Sequence, residues 1–196
     1  NATRYVLSQG GDQVTRSPGH QEKARPSRVT GDFVTGNLSV PDRWILSRLQ
    51  HTIERVTTSI ETFLFNDAAN ALYAFLWHDV CDWYLEISKI KGQTQRAVLV
   101  HVLETSLRLL HPVMPFVTEE LWQHLKPITH HSSPITSIMK APWPKPDKKL
   151  MDEEAEELFA RFQAVVGAIR NTRAELNIPL ESRPLVRVAS TKPAIR

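Results

Sequence analysis

Asn66-Asp-Ala-Ala-Asn-Ala-Leu-Tyr-Ala-Phe-Leu-Trp-His-Asp-Val-Cys-Asp-Trp-Tyr-Leu-Glu-Ile-Ser-Lys89 is the stretch that decides the fold class. At helical spacing, Leu72, Leu76, Val80, Trp83 and Ile87 make one apolar stripe, and Ala68, Ala69, Phe75 and Tyr84 widen it. A helix so apolar yet broken by charges suits neither a membrane nor a surface, so it belongs inside a bundle with neighbours on several sides. Asn66 is its expected cap.

The flanking sequence supplies those neighbours. Ser39-Val-Pro-Asp42 reads as a helix start: a capping serine, a proline tolerated in the first turn and a carboxylate at the positive helix end. Ile45, Leu49, Ile53, Val56 and Ile60 then form an inner stripe to about Phe63. A third helix is expected from about Thr94 to Leu110 with Val98, Val102, Leu103, Leu107 and Leu110 inward, stopped by His111-Pro-Val-Met-Pro115. A short fourth helix through Leu125 turns Phe116, Leu121, Trp122 and Leu125 inward. Five prolines within 126–150 mark an extended connector, with Ile138, Met139 and Trp143 expected against the bundle. A fifth long helix begins near Asp152, with Leu158, Phe159, Phe162, Val165, Val166 and Ile169 inward, and Pro179 ends it. Long helices are thus expected near 41–63, 66–90, 94–110 and 151–176, and the short turns between them force antiparallel neighbours.

Two segments fall outside this pattern. Residues 8–37 are rich in Gly, Ser, Thr, Pro, Gln and charge, too poor in apolar groups to offset ordering, so a long mobile loop is expected. Pro184-Leu-Val-Arg-Val-Ala-Ser190 alternates weakly and reads as a short strand, which requires sheet partners from elsewhere. The expected organisation is an all-α antiparallel bundle over 1–150 with mobile loop 8–38, then a long helix packing on the bundle and the start of a C-terminal α/β appendage over 151–196. Both ends read as those of a piece of a larger protein.

Composition narrows the function classes. With 24 Lys and Arg against 21 Asp and Glu, the net charge is +3, a mild excess compatible with nucleic acid and equally with a solvated surface. Cys81 is the single cysteine, so no intrachain disulfide can form; a reducing, cytoplasmic home is the default, and mid-helix Cys81 reads as packing. No apolar run is long enough to span a membrane. A Gly-rich phosphate loop is absent, and the eight histidines lack zinc spacing; His130 and His131 adjoin in a loop without an acidic or thiol neighbour. Asp79, Asp82 and Glu86 occupy successive turns of one helix, where ion pairing is the ordinary role. No catalytic set emerges. Arg170 and Arg173 put two guanidinium groups near a helix end, where dipole complementarity and phosphate contact explain them equally well.

Several separate segments resemble the anticodon-binding domain of valyl-tRNA synthetases, class I enzymes. They are Asn1-Ala-Thr-Arg-Tyr-Val6, Asp42-Arg-Trp-Ile-Leu-Ser-Arg-Leu49, Phe65-Asn-Asp-Ala-Ala69, Cys81-Asp-Trp-Tyr-Leu-Glu86 and Leu110-His-Pro-Val-Met-Pro-Phe-Val-Thr-Glu-Glu-Leu-Trp122, followed by Ala141-Pro-Trp-Pro144 and Ile169-Arg-Asn-Thr-Arg-Ala-Glu-Leu-Asn-Ile-Pro179. Isoleucyl and leucyl relatives share the Asp-Arg-Trp and His-Pro elements. The Cys-Asp-Trp-Tyr and Arg-Asn-x-Arg-Ala-Glu-x-Asn-Ile-Pro runs lean towards the valyl enzymes.

The resemblance implies a helical bundle that docks the anticodon stem-loop of valine tRNA, with Arg4 matching the family's Arg that faces the anticodon. Lys23 and Phe33 join it as candidates by residue type and loop position, and Arg170 and Arg173 as helpers. The class I signatures His-x-Gly-His and Lys-Met-Ser-Lys-Ser do not occur in this sequence. The resemblance therefore implies no cofactor for this stretch, ATP and Mg for the whole ligase, the catalytic domain of the same chain as a partner, and a cytoplasmic monomer. Trp44, Trp77, Trp83 and Trp122 read as packing. The same domain of an isoleucyl enzyme and a helical protein-interaction module are the competing readings.

Overall fold

The computed structural model describes residues 38–90, 94–129, 135–179 and 181–187. Two compact units divide the chain, Asn1–Phe159 and Ala160–Arg196. Among the described residues every regular element is helical: α1 (Val40–Glu61), α2 (Phe65–Ala74), a π-helix (Phe75–Tyr84), α3 (Leu85–Ser88), α4 (Arg96–Leu110), α5 (Pro115–Thr129) and α6 (Glu153–Glu175), with 3-10 turns at Ile138–Lys140 and Lys148–Leu150. The all-α reading is therefore correct. Residues 184–187 form no paired strand, and 188–190 lie outside the described residues.

α1 starts where the sequence places it. Ser39 is the N-cap; its Oγ accepts from Asp42 N (3.3 Å), and Asp42 Oδ2 accepts from Ser39 N (3.3 Å) and Ser39 Oγ (2.8 Å). This capping box satisfies helix-start donors that would otherwise be orphaned. Asp42 does more than cap. Fully buried, its Oδ1 also accepts from the Tyr84 hydroxyl (2.5 Å) and from Gln95 N (3.1 Å), the N-cap residue of α4. One carboxylate thus joins the start of α1, the end of the π-helix and the start of α4. Burial, and then the adjacent Asp42 charge, push the Tyr84 phenol far above its ordinary pKa, so it remains the donor.

The expected α1 stripe is observed: Ile45, Leu49, Ile53 and Val56 are buried, and Ile60 packs against them. The helix ends in a Schellman turn, Leu64 N bonding Ser59 O (2.7 Å) and Phe63 N bonding Ile60 O (3.1 Å). Phe63 occupies the left-handed position at φ 60°, where glycine is the unstrained residue. The next helix starts at Phe65 with Leu64 as its N-cap and no side-chain cap, so Asn66 lies inside the helix and does not cap it.

The second helical run departs from its expected face. Leu72 and Val80 are buried as expected, but Leu76, Trp83 and Ile87 are only partly buried, and Trp77 is 54% exposed. Phe75 and Tyr84, which widened the expected stripe, are buried, and Leu85 joins them. The cause is the π-helix, whose hydrogen bonds run to the fifth residue back, as from Leu85 N to Val80 O. Under that winding residues five apart share a face, and Phe75, Val80 and Leu85 do so. Nor is this the most enclosed run. α4 is, with Val98, Leu99, Val100, Val102, Leu103, Leu107 and Leu109 all buried. Its Glu104 is satisfied internally by Arg108 Nη2 (2.7 Å) and Trp122 Nε1 (3.2 Å).

α5 continues past Leu125 to Thr129, through Pro127. Thr118, Trp122 and Leu125 are buried, whereas Phe116, expected inward, is 91% exposed. Two positions before Thr118, it lies on the opposite side of the helix. The connector is pinned to the bundle by polar contacts. Glu119 accepts from Ser137 Oγ (2.8 Å) and Ile138 N (3.1 Å), Trp143 Nε1 donates to Thr57 Oγ1 (2.9 Å), and Asp147 N donates to Gln50 Oε1 (2.9 Å). Ile138 is buried as expected; Met139 points out, because a tight 3-10 turn separates neighbouring side chains. α6 opens with Asp152 Oδ1 accepting from Ala155 N (2.9 Å), and Ala155 and Phe159 close the first unit, the Phe159 ring stacked on Trp44 at 3.7 Å. Leu158 and Phe162, expected inward, are 40% and 46% exposed.

In the second unit α6 ends at Glu175. Asn177 takes the left-handed position at φ 48°, and Ile178 N bonds Arg173 O (2.9 Å).

Three measurements test this account. Tyr84→Phe keeps the ring and removes a hydrogen bond to a buried carboxylate, so urea unfolding should show a loss of about 1.5–3 kcal/mol. Phe75→Ala should cost about 3–5 kcal/mol, as for a buried aromatic, and Leu76→Ala distinctly less, which reverses the ranking an α-helical stripe would give. The third concerns pH. Desolvation raises the Glu119 pKa, but bonds from Gln123, Ser137 and Ile138 outweigh it and hold the carboxyl below its ordinary value. A folded-state pKa below the unfolded one contributes stability that is complete above about pH 4.3 and lost as pH falls through the folded value. Glu119→Gln should therefore flatten the acid limb of the stability profile while changing its slope near pH 7 little.

Candidate nucleic-acid interface

The short turns of the bundle bring the starts of α1 and α4 and the end of α3 to one end, tied there by the Asp42 contacts. Leu38, the first described residue, lies at this end. Arg43, Lys89 and Arg96 lie on these three termini. Arg43 Nη1 meets Asp152 Oδ2 at 2.8 Å and Glu154 Oε2 at 3.9 Å, and Lys89 Nζ meets Glu86 Oε1 at 2.5 Å. The Lys89 pair is exposed, weak and able to exchange partners, so that cation can turn to a phosphate, whereas the Arg43–Asp152 pair is half-buried. Helix starts add partial positive charge beside them.

Further along the bundle the ionisable groups are committed to each other. Arg48 bridges Asp79 (3.0 Å) and Glu156 (3.7 Å), and His51 Nε2 lies 3.2 Å from Glu156. Burial raises the Asp79 pKa, and Arg48 opposes the rise. Asp79 and Glu86 pair with Arg48 and Lys89, the role their spacing suggests, and Asp82 lies 3.3 Å from His78 Nδ1. Burial likewise pushes the Cys81 thiol above its ordinary value, away from a reactive thiolate. No group of three or more His, Cys, Asp or Glu could hold a metal among the described residues. Nor is any helix among them long and apolar enough to cross a membrane.

The candidate site residues fall in two places. Arg4, Lys23 and Phe33 lie outside the described residues, as do His130 and His131. Arg170 and Arg173 both belong to the second unit. Arg170 is exposed on α6, whereas Arg173 donates to Pro179 O (2.8 Å) and Ser182 O (3.2 Å), holding the segment that follows its own helix. The sequence reading picked out these arginines because they sit in one short run. Arg43, Lys89 and Arg96 escaped it, since only three helix ends meeting in space bring them near each other.

Comparison with known proteins supplies the family. Residues 42–189 match the model of the anticodon-binding domain of tRNA ligase. The chain is 48% identical over 152 residues to the valine–tRNA ligase of Thermotoga maritima, covering 75% of this chain and 17% of that protein. With that of Pseudothermotoga lettingae it shares 51% over 148 residues, covering 72% and 16%. With that of Fervidobacterium nodosum it shares 41% over 188 residues, covering 93% and 19%. The chain thus spans less than a fifth of the length of these relatives. On the match over residues 42–189, this chain belongs to the family of tRNA-ligase anticodon-binding domains.

Proposed function

We propose that this chain is the anticodon-reading domain of a valine–tRNA ligase, which joins valine to its tRNA with ATP and Mg in a catalytic domain carried by the same polypeptide. The observation that carries this reading is the family match together with the identity to valine–tRNA ligases over most of the chain. In it, residues 1–150 form the RNA-reading bundle with loop 8–38, and 151–196 lead into an α/β appendage in which 184–190 pairs as a strand. The protein acts as a cytoplasmic monomer.

Unpaired anticodon bases can be splayed, stacked on aromatic or Arg planes and hydrogen-bonded at their edges. Arg4 is assigned to a base edge, since its planar fork offers five donors. Lys23 and Phe33 supply a phosphate contact and a stacking ring, and Arg170 and Arg173 assist on the stem. Arg43, Lys89 and Arg96 at the Leu38 end are suited to the flanking phosphates.

Titrating the chain with valine tRNA and isoleucine tRNA at several salt concentrations tests the reading. The expected result is tighter binding of valine tRNA, with affinity falling steadily as salt rises. Preference for isoleucine tRNA would overturn the valine assignment, and no binding to either would overturn the RNA role. Arg4→Ala should weaken valine-tRNA binding by about 1–3 kcal/mol if it reads a base edge, by analogy with bidentate contacts to bases. An equal loss for all tRNAs would mark a phosphate contact instead. Valine-dependent ATP–pyrophosphate exchange by this chain alone should stay at background.

A further inference from the structure

A groove of about 380 Å³ lies between α1, α4 and residues 142–150 of the connector. Three polar contacts fix the connector that forms one of its walls. Trp143 Nε1 donates to Thr57 Oγ1 (2.9 Å), Asp147 N to Gln50 Oε1 (2.9 Å) and Arg108 Nη1 to Pro142 O (3.1 Å). Ile53, Trp143 and Leu150 supply apolar lining, Thr105 and Arg108 come from successive turns of α4, and exposed Lys145 adds a cation. A pinned cleft of this size, joining apolar walls to a few polar groups, has the form of a small-molecule site.

Two polar atoms of these lining residues lack a partner. Thr105 is only 2% exposed, yet its hydroxyl bonds to nothing among the described residues, and neither does the buried Arg108 Nε. Other buried hydroxyls of the bundle are satisfied by their own helices: Ser106 Oγ donates to Val102 O (2.7 Å), and Thr52 Oγ1 to Arg48 O (2.8 Å). The remaining guanidinium nitrogens of Arg108 are engaged too, Nη2 on Glu104 (2.7 Å) and Nη1 on Pro142 O. A buried donor left unmade is costly, and native proteins hold few of them. Two such atoms, one turn apart and both in residues lining one groove, share one explanation, an acceptor supplied from outside the protein.

We infer that this groove binds a small organic carboxylate. The Thr105 hydroxyl and Arg108 Nε–H donate to the carboxylate oxygens, and a compact apolar body lies against Ile53, Trp143 and Leu150. Nε–H can only donate and the hydroxyl can do so, so the matching group is one that only accepts, and a carboxylate does. Such charge-assisted bonds are the strong ones. Lys145 adds attraction for the negative charge, while Asp147, the one acid among the described lining residues, accepts from Lys149 N (2.9 Å). An inorganic anion would leave the apolar walls unused. None of these residues is assigned to tRNA above, so the site goes beyond that reading and does not rest on it.

Benzoate titrated into the isotope-labelled chain, with benzamide as its neutral counterpart, tests the inference by NMR of backbone and indole N–H groups. Benzoate should give saturable shifts at Thr105, Arg108 and the Trp143 indole. Benzamide should bind roughly tenfold more weakly, as when a bond to a charged acceptor is lost. Thr105→Val keeps the shape of the side chain and should weaken benzoate by a similar factor. Without ligand, the same change should not lower the melting temperature, since the hydroxyl it removes has no partner. A lowered melting temperature would show the hydroxyl satisfied within the protein and overturn the inference. So would the absence of saturable shifts, equal binding of benzamide, or full benzoate affinity in Thr105→Val. Displacement of benzoate by valine tRNA would make the groove an RNA contact and overturn it as well.

Discussion

A single buried carboxylate organises the bundle. Asp42 has no solvent exposure and accepts from Ser39, Tyr84 and Gln95, groups on three different helix termini. A charge removed from water is tolerable only when donors replace its hydration, and here two backbone and two side-chain donors converge on it. Each contact also sets a geometry: the cap fixes where α1 begins, the phenol fixes the phase in which the π-helix ends, and the Gln95 amide fixes where α4 begins. The end of the bundle that carries Arg43, Lys89 and Arg96 is built around this group.

The π-helix shows how winding can redirect a hydrophobic pattern. An α-helical count over 66–89 places Leu76 and Trp83 on the central stripe with Val80, but bonding to the fifth residue back aligns Phe75, Val80 and Leu85 and leaves Leu76 and Trp83 only partly buried. Tyr84 is brought inward to Asp42 by the same winding, and Trp77 is turned out beside Tyr73. The outward Trp77 and the polar lock at Asp42 are thus two consequences of one local change in helix geometry.

The two ends of the bundle are chemically unlike. One has helix starts and the Arg43 and Lys89 ion pairs. The other has a strained Phe63 and an exposed Phe116. Between them the carboxylates are tied to cations or buried donors, as Asp79 is to Arg48 and Glu104 to Arg108.

Much of this protein was legible in its sequence. The Ser39 capping box, the Ile45–Leu49–Ile53–Val56 stripe and the acidic start of α6 follow from local rules, since each depends on residues within a turn or two of one another. The family, too, was carried by short motifs, whose buried members include Trp44, Leu49, Tyr84 and Trp122. What only the tertiary structure decided is which faces those helices present. Leu76 and Trp83 stayed only partly buried because the winding changed; Leu158 and Phe162 stayed out while Ala155 and Phe159 went in; Asp42 became a hub through Tyr84 and Gln95, 42 and 53 residues away. Periodicity states that a helix has an apolar side, but the orientation of that side is settled by contacts between residues far apart in the chain, and those depend on the three-dimensional arrangement of all the helices at once.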